Sequence, residues 1–130
     1  MARHITKEQF SLVRRAMSFV HAGRGLALFI KTTPNAWIHL LVLSGVLVSG
    51  FYFSITRLEW ILLVLTSAMV LSAEAFNSAL EIDIDLTSPT YHPYARDTKD
   101  IAAGAVLITT IAAAIIGIVI FAPYVVKAVY

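Results

Sequence analysis

Glu74, Asn77, Glu81 and Asp85 recur at three- and four-residue spacing where an otherwise apolar stretch is running out. Side chains of these types can do two kinds of chemistry. A carboxylate can take a proton from a hydroxyl, and one or two carboxylates together with phosphate oxygens can hold Mg²⁺. Further on, Lys99 and Asp100 stand at the mouth of another apolar run, where an ammonium group and a free helix N-terminus both favour phosphate. They end the stretch LTSPTYHPYARDTKD, whose Tyr91 and His92 can stack on a base or hydrogen-bond to it. Metal-holding acids, a phosphate-seeking lysine and a base within the membrane together point to phosphoryl transfer. The plainer readings are a polar contact between subunits for the acids and an ordinary loop residue for a His before Pro93. No G-x-x-x-x-G-K-[ST] loop and no kinase-type glycine-rich loop occurs, and GRG at 23–25 is too short to serve as one.

These residues need a frame, and composition supplies it. The chain has 130 residues, 58% of them hydrophobic and only 14% charged, so it lacks the polar surface that a soluble domain of this size requires. Three apolar segments reach the roughly 20 residues that a helix needs to cross a bilayer: 37–55, 58–80 with a continuation to about Asp85, and 100–126. Ahead of them, residues 6–31 read as an amphipathic surface helix. Thr6 and Gln9 form its capping box, and Phe10, Val13, Met17 and Val20 line one face. Gly23 and Gly25 are expected to loosen it, and TTPN at 32–35 to end it. The expected architecture is one all-α membrane domain over 1–130. The basic N-terminus leads into an amphipathic segment, which is unlike a signal peptide.

Six of the ten Lys and Arg residues precede the first span, and Arg96 and Lys99 lie between the second and third. By the positive-inside rule the N-terminus and the link at 81–100 face the cytoplasm. Topology accounts for the basic pI, so nucleic acid is not an expected partner. With no cysteine in the chain, disulfides and thiolate metal sites are excluded. Trp60, Tyr52, Tyr124 and Tyr130 fit an outer aromatic belt. Gly45 and Ser49, with the small residues of the third span, favour close helix contact and self-association.

On a helix turning ~100° per residue, Asn77, Glu81 and Asp85 fall within an arc of about 80° that includes Glu74, if the helix continues that far, and Asp83 falls on the opposite side. Glu74 is about 21 Å from Trp60 along such a helix, below mid-membrane and toward the cytoplasm. A lone carboxylate there costs several kcal/mol unless it is paired, protonated or wet.

EAFNSALE (74–81) with YHPYARDTKDIAAGAVLI (91–108), supported by GRGLALFIK (23–31) and NAWIHLL (35–41), closely resembles the prokaryotic membrane lipid kinases, the diacylglycerol and undecaprenol kinase family. The resemblance covers nearly the whole chain. It implies a homotrimer of three-span subunits in the cell membrane, each with a surface helix, that moves the γ-phosphate of MgATP onto a lipid hydroxyl. It makes Glu74 the general base with Asn77 beside it, and Glu81 a Mg²⁺ ligand. Lys99 meets the phosphates, and Asp85, Tyr91, His92, Asp100 and His21 join the nucleotide site. A second metal-holding Glu expected before the first span corresponds here to Thr33, in a stretch without any acid from residue 9 to 58. A hydroxyl ligates without adding charge, so metal affinity should fall unless Asp83, Asp85 or water completes the shell. Two other readings compete with the kinase: a non-enzymatic oligomer passing cations or protons along the acids, and a catalytically weakened relative.

Overall fold

The computed structural model describes residues 12–130, so the capping box expected at Thr6 and Gln9 lies outside the described residues. Four helices follow one another: α1 (Leu12–Thr32), α2 (Pro34–Phe53), α3 (Arg57–Thr87) and α4 (Pro93–Val129). The chain divides into two compact units, one up to Thr32 and one from Thr33.

In the first unit, α1 runs unbroken through Gly23 and Gly25, contrary to the expected loosening. Each glycine costs a helix only about 1 kcal/mol relative to alanine, too little to interrupt 21 residues. The TTPN segment does break the helix: Thr33 is extended and Pro34 opens α2, its fixed φ suiting a first helical position.

The second unit holds α2, α3 and α4, all three long and apolar enough to cross a membrane. Its polarity is that of a lipid-facing protein. Leu41, Val48, Phe76 and Ile108 are each more than two-thirds exposed, whereas Thr33, Thr66, Glu74 and Asn77 are buried. Ser54, in the left-handed region at φ 51°, and Thr56, which closes a capping box with Glu59, reverse the chain tightly between α2 and α3. At the other end only Ser88–His92 lies outside a helix. Much of the segment that reads as a link in the sequence is helical, because Pro93 starts α4 and ARDTK continues it. At 31 and 37 residues, α3 and α4 outrun the ~30 Å hydrocarbon slab, which takes about 20 residues.

Two side-chain pairs fix α3 and α4 as antiparallel neighbours. Tyr124 meets Glu59 at the end with the α2–α3 turn, and Lys99 meets Asp85 at the end with the α3–α4 loop. Between them the inward residues alternate at three and four: Lys99, Ala102, Val106, Thr110, Ala113, Gly117, Ile120 and Tyr124 are buried or half-buried, facing Leu63, Thr66, Val70, Glu74 and Asn77. That spacing is the seam of left-handed helix packing. A hydrophobic cluster forms at the turn end, where Ile55, Leu63 and Ile120 gather Val46, Phe53, Trp60 and Phe121. There α2 comes close to α3: a Cβ on Gly50 would lie 2.7 Å from Trp60 Cη2 and 2.9 Å from Cζ2. Nothing lies within 4 Å of a Cβ placed at Gly45, Gly104 or Gly117, so of these four glycines only Gly50 marks a close helix approach inside the chain.

Candidate active site

At the loop end α3 stays helical to Thr87, and the arc predicted for Glu74, Asn77, Glu81 and Asp85 is therefore realised on one continuous helix. Burial along it is graded. Glu74 is 1% exposed and Asn77 7%, while Glu81 and Asp85 are exposed where the helix leaves the seam. Asn77 Nδ2 donates to Glu81 Oε1 at 3.2 Å, one turn along. Glu74 Oε1 and Asn77 Oδ1 are buried and have no hydrogen-bond partner among the described residues. Leaving such atoms unpaired is costly, and they are aligned on the residues that sequence singles out for chemistry. Asp83 is exposed on the other side, its carbonyl accepting from Thr87 Oγ1.

Lys99, in the second turn of α4, reaches back to Asp85 with Nζ 2.5 Å from Oδ1. The lysine and the last acid of the stripe are thus in contact across the two helices. Asp100 and Arg96 are exposed and 3.9 Å apart, and Arg96 also holds Asp97 at 3.0 Å. Tyr91 and His92 are exposed in the loop, and the His92 ring lies 5.6 Å from Tyr94. His92 occupies the N-cap position of α4 without a capping side-chain bond. His21 is exposed on α1, in the other unit.

Thr33 is at the N-cap of α2, where a threonine hydroxyl ordinarily bonds its own helix. It does not. Thr33 Oγ1 donates to Ser78 Oγ at 2.9 Å, and Ser78 Oγ donates to the Glu74 carbonyl at 2.9 Å. Thr33 therefore sits against the α3 turn that carries Glu74, with its hydroxyl hydrogen committed to Ser78.

Among the described residues no three His, Asp or Glu side chains gather into a metal cage. Mg²⁺ seldom needs one: it keeps several waters and takes one or two carboxylates beside phosphate oxygens. Glu81 fits that role, since one oxygen is engaged by Asn77 and the side chain is open at the loop end.

Sequence reasoning passed over three features. The Thr33–Ser78 bond joins residues 45 apart, beyond the reach of any local pattern. Tyr124, read as a belt aromatic, spends its hydroxyl on Glu59. Thr110 sits on the α4 seam with its Oγ1 buried and unpartnered among the described residues. The clue was available: Thr110 follows Lys99 by the same eleven residues that separate Glu74 from Asp85.

An all-helical membrane protein that gathers carboxylates, an amide and a lysine at one end of two antiparallel spans has the make-up of a small integral-membrane kinase. Residues 20–121 match the prokaryotic diacylglycerol kinase family, and the chain belongs to it. It is 39% identical over 106 residues to the undecaprenol kinase of Bacillus subtilis, covering 82% of this chain and 86% of that protein. It is 37% identical to a diacylglycerol kinase of Synechocystis over 78% of this chain and 58% of that protein. With a diacylglycerol kinase of Helicobacter pylori the identity is 35% over 62% of each. No solved structure matches the chain. Family membership sets the chain among lipid kinases, not among non-enzymatic membrane modules.

Proposed function

We propose that this protein is an ATP-dependent lipid kinase that transfers the γ-phosphoryl group of MgATP to the hydroxyl of a membrane lipid alcohol, a diacylglycerol or undecaprenol. One observation carries the reading. Glu74, buried with an unpartnered oxygen, shares a helix face with Glu81 and Asp85, and Asp85 touches Lys99. The lipid hydroxyl loses its proton to Glu74 as its oxygen bonds to the γ-phosphorus. The bond from that phosphorus to the bridging oxygen breaks, and ADP leaves with the electron pair. Asn77 holds Glu81 in orientation. Glu81 and the triphosphate oxygens would hold Mg²⁺, which when bound neutralises phosphate charge. Lys99 turns from Asp85 to the phosphates, and Tyr91, His92 and Asp100 border the nucleotide.

The positive-inside bias supports a cytoplasmic N-terminus and a cytoplasmic α3–α4 loop in the cell membrane. The open space beside Gly45 and Gly104 suits contact with further copies in a homotrimer.

The test is transfer of label from γ-labelled ATP to a panel of diacylglycerols and polyprenols in mixed micelles. Label should appear in one of these alcohols, and Lys99→Ala should abolish it. Absence of label from every lipid defeats the proposal, as does undiminished turnover in Lys99→Ala.

A further inference from the structure

We propose that Thr110 is a lipid-binding residue of this site, holding the acceptor hydroxyl against Glu74. The proposal rests on the kinase reading above and deepens it on the lipid side.

Register places Thr110 there. Lys99 and Asp85 touch, and eleven residues from each, three full turns and hence the same faces, lead to Thr110 on α4 and Glu74 on α3. The Tyr124–Glu59 pair fixes the register independently from the other end, fourteen residues from Thr110 and fifteen from Glu74. Thr110 and Glu74 are therefore at one level of the bilayer, on facing seams.

Both carry a buried oxygen with no hydrogen-bond partner among the described residues. For Thr110 this runs against habit, because a helical hydroxyl can always turn back to its own helix. Thr109 does so, bonding the Val106 carbonyl at 2.9 Å, and Ser44, Ser49 and Thr98 each bond the carbonyl one turn back. Thr110 also lines an apolar groove of about 480 Å³ between α2, α3 and α4, along with Val70 and Leu71 in the turn before Glu74. Thr110 and Leu71 stand at the loop-ward end of that groove, so a molecule that fills it to this end comes within about one helical turn of Glu74. An alcohol oxygen there can donate its proton to Glu74 while accepting a bond from Thr110, leaving neither protein oxygen unpaired. The phosphate donor approaches from the loop end, so Thr110 should act on the lipid and not on ATP.

The experiment compares wild type, Thr110→Val, Thr110→Ser and Thr109→Val with dioctanoylglycerol and undecaprenol as acceptors in mixed micelles. Losing one hydrogen bond should raise the lipid KM of Thr110→Val by up to about tenfold, with the ATP KM unchanged. Thr110→Ser should restore it, and Thr109→Val should match wild type. Thermal unfolding supplies a readout that does not depend on catalysis. Replacing an unpartnered buried hydroxyl by a methyl of the same shape removes no native bond, so Thr110→Val should melt at or above wild type. An unchanged lipid KM, a parallel rise in the ATP KM, failure of serine to rescue, or a lower melting temperature overturns the assignment. If wild type labels neither alcohol, the kinase reading itself falls; if wild type labels one and Thr110→Val equals it, only the role of Thr110 falls.

Discussion

Glu59 and Glu74 lie on the same helix, fifteen residues apart and both toward α4, yet their surroundings are opposite. Glu59 Oε2 accepts from Thr56 N and Thr56 Oγ1 at 2.7 Å and from Tyr124 Oη at 2.8 Å. Glu74 is the more deeply buried, but its Oε1 has no partner among the described residues. A carboxylate whose Oε2 takes three donors is a clasp, tying α3 to α4 and to the turn before it. A carboxylate buried with an oxygen that no described residue bonds is a liability to folding, and such groups cluster where chemistry uses them.

Substitutions at the two ends should separate these roles. The largest effect is expected for Glu74→Gln: kcat for lipid phosphorylation should fall about 10²–10⁴-fold, the usual worth of a positioned general base. Its nucleotide affinity should stay near wild type, measured by binding of a non-hydrolysable ATP analogue. Equal loss of both would mean that another group takes the proton. Gly50→Ala tests the clasp end through packing: a methyl within 3 Å of the Trp60 ring should cost about 1–3 kcal/mol of stability, read by unfolding in mixed micelles. Tyr124→Phe at the same end should lower the melting temperature while leaving both Michaelis constants alone; a changed ATP KM would show that the two ends are not independent. Smaller still is Thr33→Val, which removes the hydroxyl that reaches Ser78. About 1 kcal/mol of stability should go, with a modest drop in kcat as the Glu74 turn loosens. Thr33→Glu probes the metal instead, and should lower the Mg²⁺ concentration needed for half-maximal rate.

Much of this could be read from the chain itself. Three apolar runs, the absence of acids across residues 9–58 and the spacing of Glu74, Asn77, Glu81 and Asp85 are local patterns, and a helix turns local spacing directly into a shared face. Lys99 was legible because it opens an apolar run. What escaped depends on pairing between helices. Whether Tyr124 is an interfacial aromatic or the partner of Glu59 turns on register, which only the folded pair defines. Thr110 shows the same limit: within its own helix it is an ordinary residue beside another threonine, and it becomes notable only when Glu74 is opposite. Likewise the sequence puts Thr33 only at a metal position, and that its hydroxyl donates to Ser78 on α3 becomes visible only in the folded helices.

The alternating three-four seam has a consequence for how this chain tolerates change in length. One residue inserted between Lys99 and Thr110 would swing the lysine about 100° around α4, out of reach of Asp85, with the Tyr124–Glu59 clasp still closed. Seven inserted residues would restore the azimuth but carry the ammonium group about 10 Å farther along the axis. Insertions and deletions within this stretch should therefore be among the least forgiving edits to the molecule, even where every new residue is a good helix former that lipid would accept.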